Sequence, residues 1–227
     1  MMREHIPSDA RIHYVITNGG KAPNVVPDFA EVYYYVRHSN RKTVLEIFDR
    51  ITKAAEGAAL GTGTKMEYEL IGGTHELLPN TTLQKMMHAN LVKVGGVTYT
   101  EEEKEFGNQI IKSLGIENGS LEKAAEVQPY KTIDPSFGST DVGDVSFTVP
   151  TAGMGSATWV PGTPAHSWQA VAAGGTDIGN KGMMVAAKTI ALTAIDLFLN
   201  PTQILKAKAE LEEKRGKDFK YTPLLGD

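Results

Sequence analysis

The hydrophobic positions of this chain change their period several times, and each change marks an element. From Ala10 to Thr17 the run A-R-I-H-Y-V-I-T is dense in β-branched and aromatic residues and halts at Asn18-Gly19-Gly20, which predicts a strand and a turn. After P-N-V-V-P-D, the run from Phe29 to Arg37 predicts a second strand, antiparallel to the first. Ser39 or Asn40 can then cap a helix whose apolar positions Val44, Leu45, Ile47, Phe48, Ile51, Ala55 and Ala58 keep the 3.6 period, closed by Gly61. Lys65 to Leu70 alternates, with Met66, Tyr68 and Leu70 on one side and Lys65, Glu67 and Glu69 on the other, which predicts a half-buried strand. The order β-β-α-β is most of a ferredoxin-like unit, with M-M-R-E-H-I as the stub of its first helix.

Around Gly72 to Asn80 the pattern shifts, so a boundary is expected near residue 78, giving domains 1–78 and 79–227. Helical periods cover Thr82 to Val94 and Thr100 to Leu114; Glu117 to Ser136 is polar and contains proline, which predicts a loop. Val145 to Val149 (V-S-F-T-V) predicts a short buried strand, and Gly153 to Val160 another. Gly179 to Leu199 is apolar enough for a mostly buried helix against a sheet, and Pro201 opens a charged surface helix from Thr202 to Arg215. The expected fold class is therefore α/β, with an α+β first domain.

Composition narrows the function. The chain has 227 residues, 41% of them hydrophobic, enough for a real core, and carries a net charge of -4 with no basic footprint for nucleic acid. It has no cysteine, so disulfides and thiol nucleophiles are excluded and any metal must be held by His, Asp or Glu. No leader-like apolar segment opens the sequence and no run of about 18 apolar residues occurs. Those features predict a cytoplasmic protein without a membrane partner.

Three stretches carry candidate chemistry. In W-V-P-G-T-P-A-H-S-W-Q, His166 follows a Pro-Gly turn between Trp159 and Trp168, whose rings could wall off a neutral, metal-binding imidazole. The spacing leaves two readings open, a metal ligand or a histidine hydrogen-bonded inside a rigid loop. In S-T-D-V-G-D-V-S, Asp141 and Asp144 stand three apart beside glycine, a pattern that orients a histidine, binds a metal or simply closes a turn. In the stretch from Arg11 to Asp28, His13 and Asn24, together with Arg37 on the next strand, are donor types suited to an oxyanion and a carboxylate. No G-x-S-x-G, phosphate loop or H-E-x-x-H is present.

Together, H-Y-V-I-T-N-G-G-K-A-P-N-V-V-P-D, Y-Y-Y-V-R, S-T-D-V-G-D-V-S and G-T-P-A-H-S-W-Q resemble the aminoacylase and carboxypeptidase superfamily of dinuclear-metal amidohydrolases, nearest its aminobenzoyl-glutamate hydrolase branch. The resemblance covers nearly the whole chain. It implies a ferredoxin-like lid, which also forms a homodimer, followed by the C-terminal half of a catalytic α/β domain. It implies two divalent ions, zinc or manganese, in the complete enzyme, and a small-molecule amide substrate such as an N-acyl or N-aroyl amino acid. His166 stands where a metal ligand would be. His13 matches a lid histidine that stabilises the oxyanion in the partner subunit, while Asn24 and Arg37 match substrate-binding residues. Gly162 and Thr163 would offer backbone donors to substrate, and Asp141 and Asp144 would orient the groups around the metals. The His-x-Asp and paired-glutamate motifs that supply the other ligands and the general base are absent from these residues, so the N-terminal half of the catalytic domain is an expected partner and the chain alone is expected to be inactive. Two alternatives are a non-catalytic association module and one chain of a split enzyme.

Overall fold

The computed structural model describes residues 2–117, 119–131 and 138–225. By its contacts the chain divides into two units, one of residues 1–77, 133–147 and 220–227, the other of 78–132 and 148–219. The turn from one to the other after Leu77 falls where the sequence pattern shifts, but segments near 140 and 220 return to the first unit.

In the first unit, Met2–His5 form a 3-10 turn, followed by β1 (Arg11–Asn18) and β2 (Glu31–Arg37), an antiparallel ribbon with an irregularity between Ile16 and Asn18. Helix α1 (Arg41–Thr62) starts at Asn40, whose side chain accepts the Thr43 N–H, and ends at Gly63 with φ 68°, two residues beyond the expected stop. Lys65 to Leu70 forms no strand, although Tyr68 meets Phe48 of α1 edge-on at 5.8 Å. Alternation predicted its two faces, but a strand also needs a ladder partner, and among the described residues the ribbon stays two-stranded. A second small sheet pairs β3 (Gly72–Gly73) with β4 (Leu224–Leu225).

Among the described residues the second unit is helical: α2 (Thr81–Val94), α3 (Glu101–Ser113) and a 3-10 turn at Leu121–Ala125, then, after α4 (Val142–Thr148) of the first unit, α5 (Trp168–Gly174), α6 (Asp177–Leu199) and α7 (Pro201–Arg215). The expected strand at Val145–Val149 is thus a helix, because a five-residue apolar run fits either period. Gly153 to Val160 carries no regular structure. Asn80 caps α2 and Thr100 caps α3 in a full capping box with Glu103. Val97, Ile110, Ile111, Leu121, Val160 and Ile178 form the core of this unit. Helix α6 packs on α2, α5 and α7 rather than on the expected sheet, and most of its large side chains remain exposed.

The start of α2 shows how one carboxylate fixes a junction. Glu210 of α7 accepts the backbone N–H of Thr81 at 2.6 Å and of Thr82 at 2.9 Å, the Thr82 hydroxyl at 2.7 Å and the Lys214 ammonium at 2.7 Å. Burial alone would raise this carboxyl, but the donors outweigh it and hold it at about 2. Because the folded value lies below the unfolded one, the stabilisation is present above the ordinary carboxylate range and is lost as pH falls toward 2. Glu210→Gln is expected to cost roughly 2 kcal/mol at neutral pH. In urea unfolding it should also flatten the wild-type loss of stability between roughly pH 5 and about pH 2; an unchanged acid limb would refute the assignment.

Candidate functional site

On the ribbon, the register places Arg11 opposite Arg37, His13 opposite Tyr35 and Val15 opposite Tyr33. Opposed residues share a face, so His13 and Arg37 lie on the same side with Tyr35 between them. The Arg37 guanidinium carbon sits 5.7 Å from the Tyr35 ring centroid, a cation–π contact that aims the charge along this face. His13 is exposed there. The opposite face carries Tyr14, Ile16, Val32 and Tyr34, all exposed, with Tyr14 and Tyr34 rings 5.7 Å apart. Asn24 is exposed in the connection 19–30, beyond the far end of β1. His13 is five residues before that end, roughly 17 Å along the strand. The ribbon thus brings His13 and Arg37 together and leaves Asn24 at its tip.

In the second unit the loop before α5 is built as a rigid stand. Thr163 returns both its N–H, at 3.1 Å, and its hydroxyl, at 2.7 Å, to the Val160 carbonyl, and Gly162 adopts φ 85°. The Ser167 hydroxyl donates to the Pro164 carbonyl at 2.7 Å and accepts the Ala170 N–H at 3.2 Å, which caps α5. Between these two anchors His166 has φ 61°, the one non-glycine residue with positive φ among those described. Left-handed backbone costs a non-glycine residue on the order of 1–2 kcal/mol, so the loop holds this imidazole in a conformation that its own sterics disfavour. The tryptophans do not wall it off: His166 is exposed, and Trp168 is 63% exposed.

The Asp pair divides. Asp141 is exposed, whereas Asp144 grips His75, a buried residue to which the sequence assigned no role. The His75 backbone N–H donates to Asp144 Oδ2 at 3.4 Å, and ring Nδ1 lies 2.6 Å from Oδ1. The Arg41 guanidinium meets ring Nε2; since it can only donate, Nε2 accepts and Nδ1 carries the proton toward Asp144. Tyr221 donates its hydroxyl to Asp144 at 3.1 Å, and burial together with that carboxylate pushes its phenol above the ordinary value. The imidazole lies between the Phe147 and Tyr221 rings, at 5.1 and 5.2 Å. His75 and Asp144 are 69 residues apart, and no local spacing links them.

Among the described residues no three His, Asp or Glu side chains gather as metal ligands. His166 supplies one, and a catalytic zinc keeps about three protein ligands, so the described residues do not make a metal centre by themselves. A recess of about 360 Å³ in the second unit is lined by Glu102, Glu103, Phe106, Asp177 and Lys181 and contains none of the candidate residues.

No protein-family model matches the chain. Among curated proteins it is 39% identical to a subunit of the p-aminobenzoyl-glutamate hydrolase of Escherichia coli (strain K12), over 93% of this chain and 49% of that protein. It is 29% identical to the Xaa-Arg dipeptidases of Mus musculus, over 94% of this chain and 43% of that protein, and of Homo sapiens, over 97% and 42%. The chain therefore spans a little under half the length of these curated relatives. Over the length it shares with them, the chain is similar to amidohydrolases of the aminoacylase and carboxypeptidase type.

Proposed function

We propose that this chain is one part of a metal-dependent amidohydrolase that cleaves the amide bond of N-acyl or N-aroyl amino acids, and that it is inactive without the rest. The observation that carries this reading is His166, exposed and held at φ 61° between two hydrogen-bonded anchors, in a chain related to hydrolases. The relatives' names describe an aminobenzoyl-glutamate and an Xaa-Arg dipeptide, both of them compounds in which an amide joins an acyl group to an amino acid. In this reading His166 is one ligand of a zinc or manganese pair, and the other ligands and the general base come from a second stretch of polypeptide. The chain's own groups do the holding. Arg37 pairs with the substrate carboxylate and the loop at Gly162 and Thr163 offers backbone donors, whereas Asn24, at the far tip of the ribbon, is too distant from Arg37 to hold the carbonyl of the same molecule. His13 donates to the oxyanion in the partner subunit of a dimer formed through the ribbon unit. Asp144 keeps its own loop seated through His75.

The test is to combine the chain with the segment of the E. coli relative that lies outside the aligned half, supply zinc or manganese, and follow hydrolysis of p-aminobenzoyl-glutamate. Activity only in the combination is expected; activity of the chain alone, or none in a stable combination, would reject the reading. In the active combination Arg37→Ala should raise KM by about tenfold or more with a smaller effect on kcat, because a carboxylate clamp acts on ground state and transition state alike. A predominant kcat effect would place Arg37 in another role. A second reading, a non-catalytic association module, draws on the exposed Tyr14, Ile16 and Tyr34 face of the ribbon; it predicts dimers but no activity in any combination.

A further inference from the structure

We infer that Trp168 is the residue that selects the acyl half of the substrate, its indole stacking on an aromatic acyl group, so that the site takes N-aroyl amino acids in preference to N-acetyl ones. The inference rests on the proposed function for the reaction, and on α5 for the residue. Helix α5 buries Gln169, Ala170 and Ala173 and turns Trp168 and Val171, three residues apart on one face, toward solvent. Trp168 is 63% exposed and Val171 77%. A single exposed tryptophan is ordinary on a protein surface, and this one is set apart by its place. It is the first residue of α5 and stands two positions after His166, which puts the two Cα atoms no more than roughly 7 Å apart. Helical side chains lean toward the N-terminus and cover the turn before their own Cα, so the indole flanks the end of the loop that carries His166. The anchor that steadies the imidazole steadies the indole too: Ser167 lies between them, its hydroxyl tied to the Pro164 carbonyl at 2.7 Å and to the Ala170 N–H at 3.2 Å.

The chemistry of the two substrate halves decides which of them this wall fits. The amino-acid half ends in a carboxylate and calls for a cationic donor, whereas Trp168 and Val171 offer apolar surface and no charge. The acyl half carries no charge, and it joins the amide at the carbonyl, the group that a metal ligand's ion polarises. A wall within two residues of His166 is therefore placed for the acyl half. An acetyl group presents one methyl and covers little of an indole. A benzoyl ring covers much of its face, and contact between two rings adds about two- to tenfold in affinity beyond the area that is buried. Val171, a turn further along, extends the apolar surface for the far edge of the ring. Because the wall belongs to a capped helix and a hydrogen-bonded loop, it stands in place before any ligand arrives, and preorganisation of this kind converts contact area into selectivity.

The test combines the full chain with the unaligned segment of the E. coli relative and compares N-benzoyl-glutamate with N-acetyl-glutamate. Trp168→Ala should lower kcat/KM for the benzoyl compound by about tenfold or more and for the acetyl compound by less than about threefold. Trp168→Phe should keep most of the preference, and Trp168→Leu should lose it. Trp168 is mostly solvated and the Ser167 cap is untouched, so the variants should melt as the parent chain does. Equal losses on both compounds would overturn the inference, as would a leucine that restores the preference as fully as phenylalanine. Binding is read without turnover in the metal-free complex, with fluorotryptophan in this chain alone. The chain has 2 tryptophans, so Trp159→Phe assigns the Trp168 fluorine resonance. That resonance should shift with N-benzoyl-glutamate and stay still with N-acetyl-glutamate at the same concentration. A resonance that moves when the complex forms and then ignores both compounds would mean that polypeptide covers the indole, which overturns the inference, as does the lack of a complex. The two proposals fail separately: a shift selective for the benzoyl compound without hydrolysis under zinc or manganese leaves Trp168 standing and removes the reaction, and hydrolysis whose preference ignores Trp168 does the reverse.

Discussion

Replacing His166 with glycine is expected to remove metal-dependent hydrolysis in the assembled protein by about a thousandfold or more, which is at least roughly 4 kcal/mol of transition-state stabilisation. The same change should leave the chain as stable as before, or slightly more so. The two halves of this expectation have one cause. At φ 61° an imidazole-bearing residue sits where only glycine rests without steric cost. Removing the side chain therefore relaxes the backbone by up to about 1 kcal/mol, offset in part by the added freedom of the unfolded chain. A histidine that served the loop would behave oppositely, since its loss would destabilise Val160 to Ser167 and leave chemistry nearly untouched. Metal content, kcat/KM and thermal melting of the variant decide between the two. Retention of activity within about tenfold would show that His166 is no ligand, and a clear fall in melting temperature would show that its conformation is not strained.

What the sequence made legible divides along physical lines. Elements whose signals are local were readable: Asn40, one of the two caps offered, starts α1, the helices expected from Thr82 and Thr100 begin within a residue of those positions, and Gly63, two residues past the expected Gly61, takes the left-handed stop. Pairing of β1 with β2 was also legible, because one connection joins them and both are rich in β-branched and aromatic residues. The strands expected at Lys65–Leu70 and Gly153–Val160 depended on neighbours that the described residues do not provide, and alternation says nothing about those. V-S-F-T-V was too short to separate the two periods, and its helix is decided by contacts with a segment 69 residues earlier. The apolar run of α6 announced a buried helix, and its burial is one-sided. The candidate site followed the same rule. His13 and Arg37, singled out by residue type, share a face by strand register, and His75 was missed because its contact is with a carboxylate 69 residues away.

That distant contact yields the second large effect. Gly143→Ala is expected to destabilise the first unit by about 3 kcal/mol or more, far beyond the usual glycine-to-alanine change in a helix, which is stabilising by roughly 1 kcal/mol. A Cβ on Gly143 would lie 1.9 Å from the His75 carbonyl oxygen and 2.8 Å from its carbon, and both belong to backbone that cannot swing aside. Nor can α4 retreat. Asp144 holds the His75 N–H and ring, Phe147 lies against the same imidazole, and Gly143 and Ser146 are buried. The only relief is for α4 to leave the 75–76 segment, which breaks the Asp144 contacts and exposes a polar cluster assembled from α1, α4 and Tyr221. Hydrogen exchange should therefore rise together at His75 and at Asp144 to Phe147. The Tyr221 phenol, raised by burial and by the Asp144 carboxylate, should fall back toward its ordinary value when followed by ultraviolet absorbance. Gly153→Ala is the control, since a Cβ there meets open space and should change stability by no more than about 0.5 kcal/mol. Equal effects at the two positions would mean that the close approach of α4 to His75 does not exist in solution, and with it would go the role given to Asp144 in seating the loop.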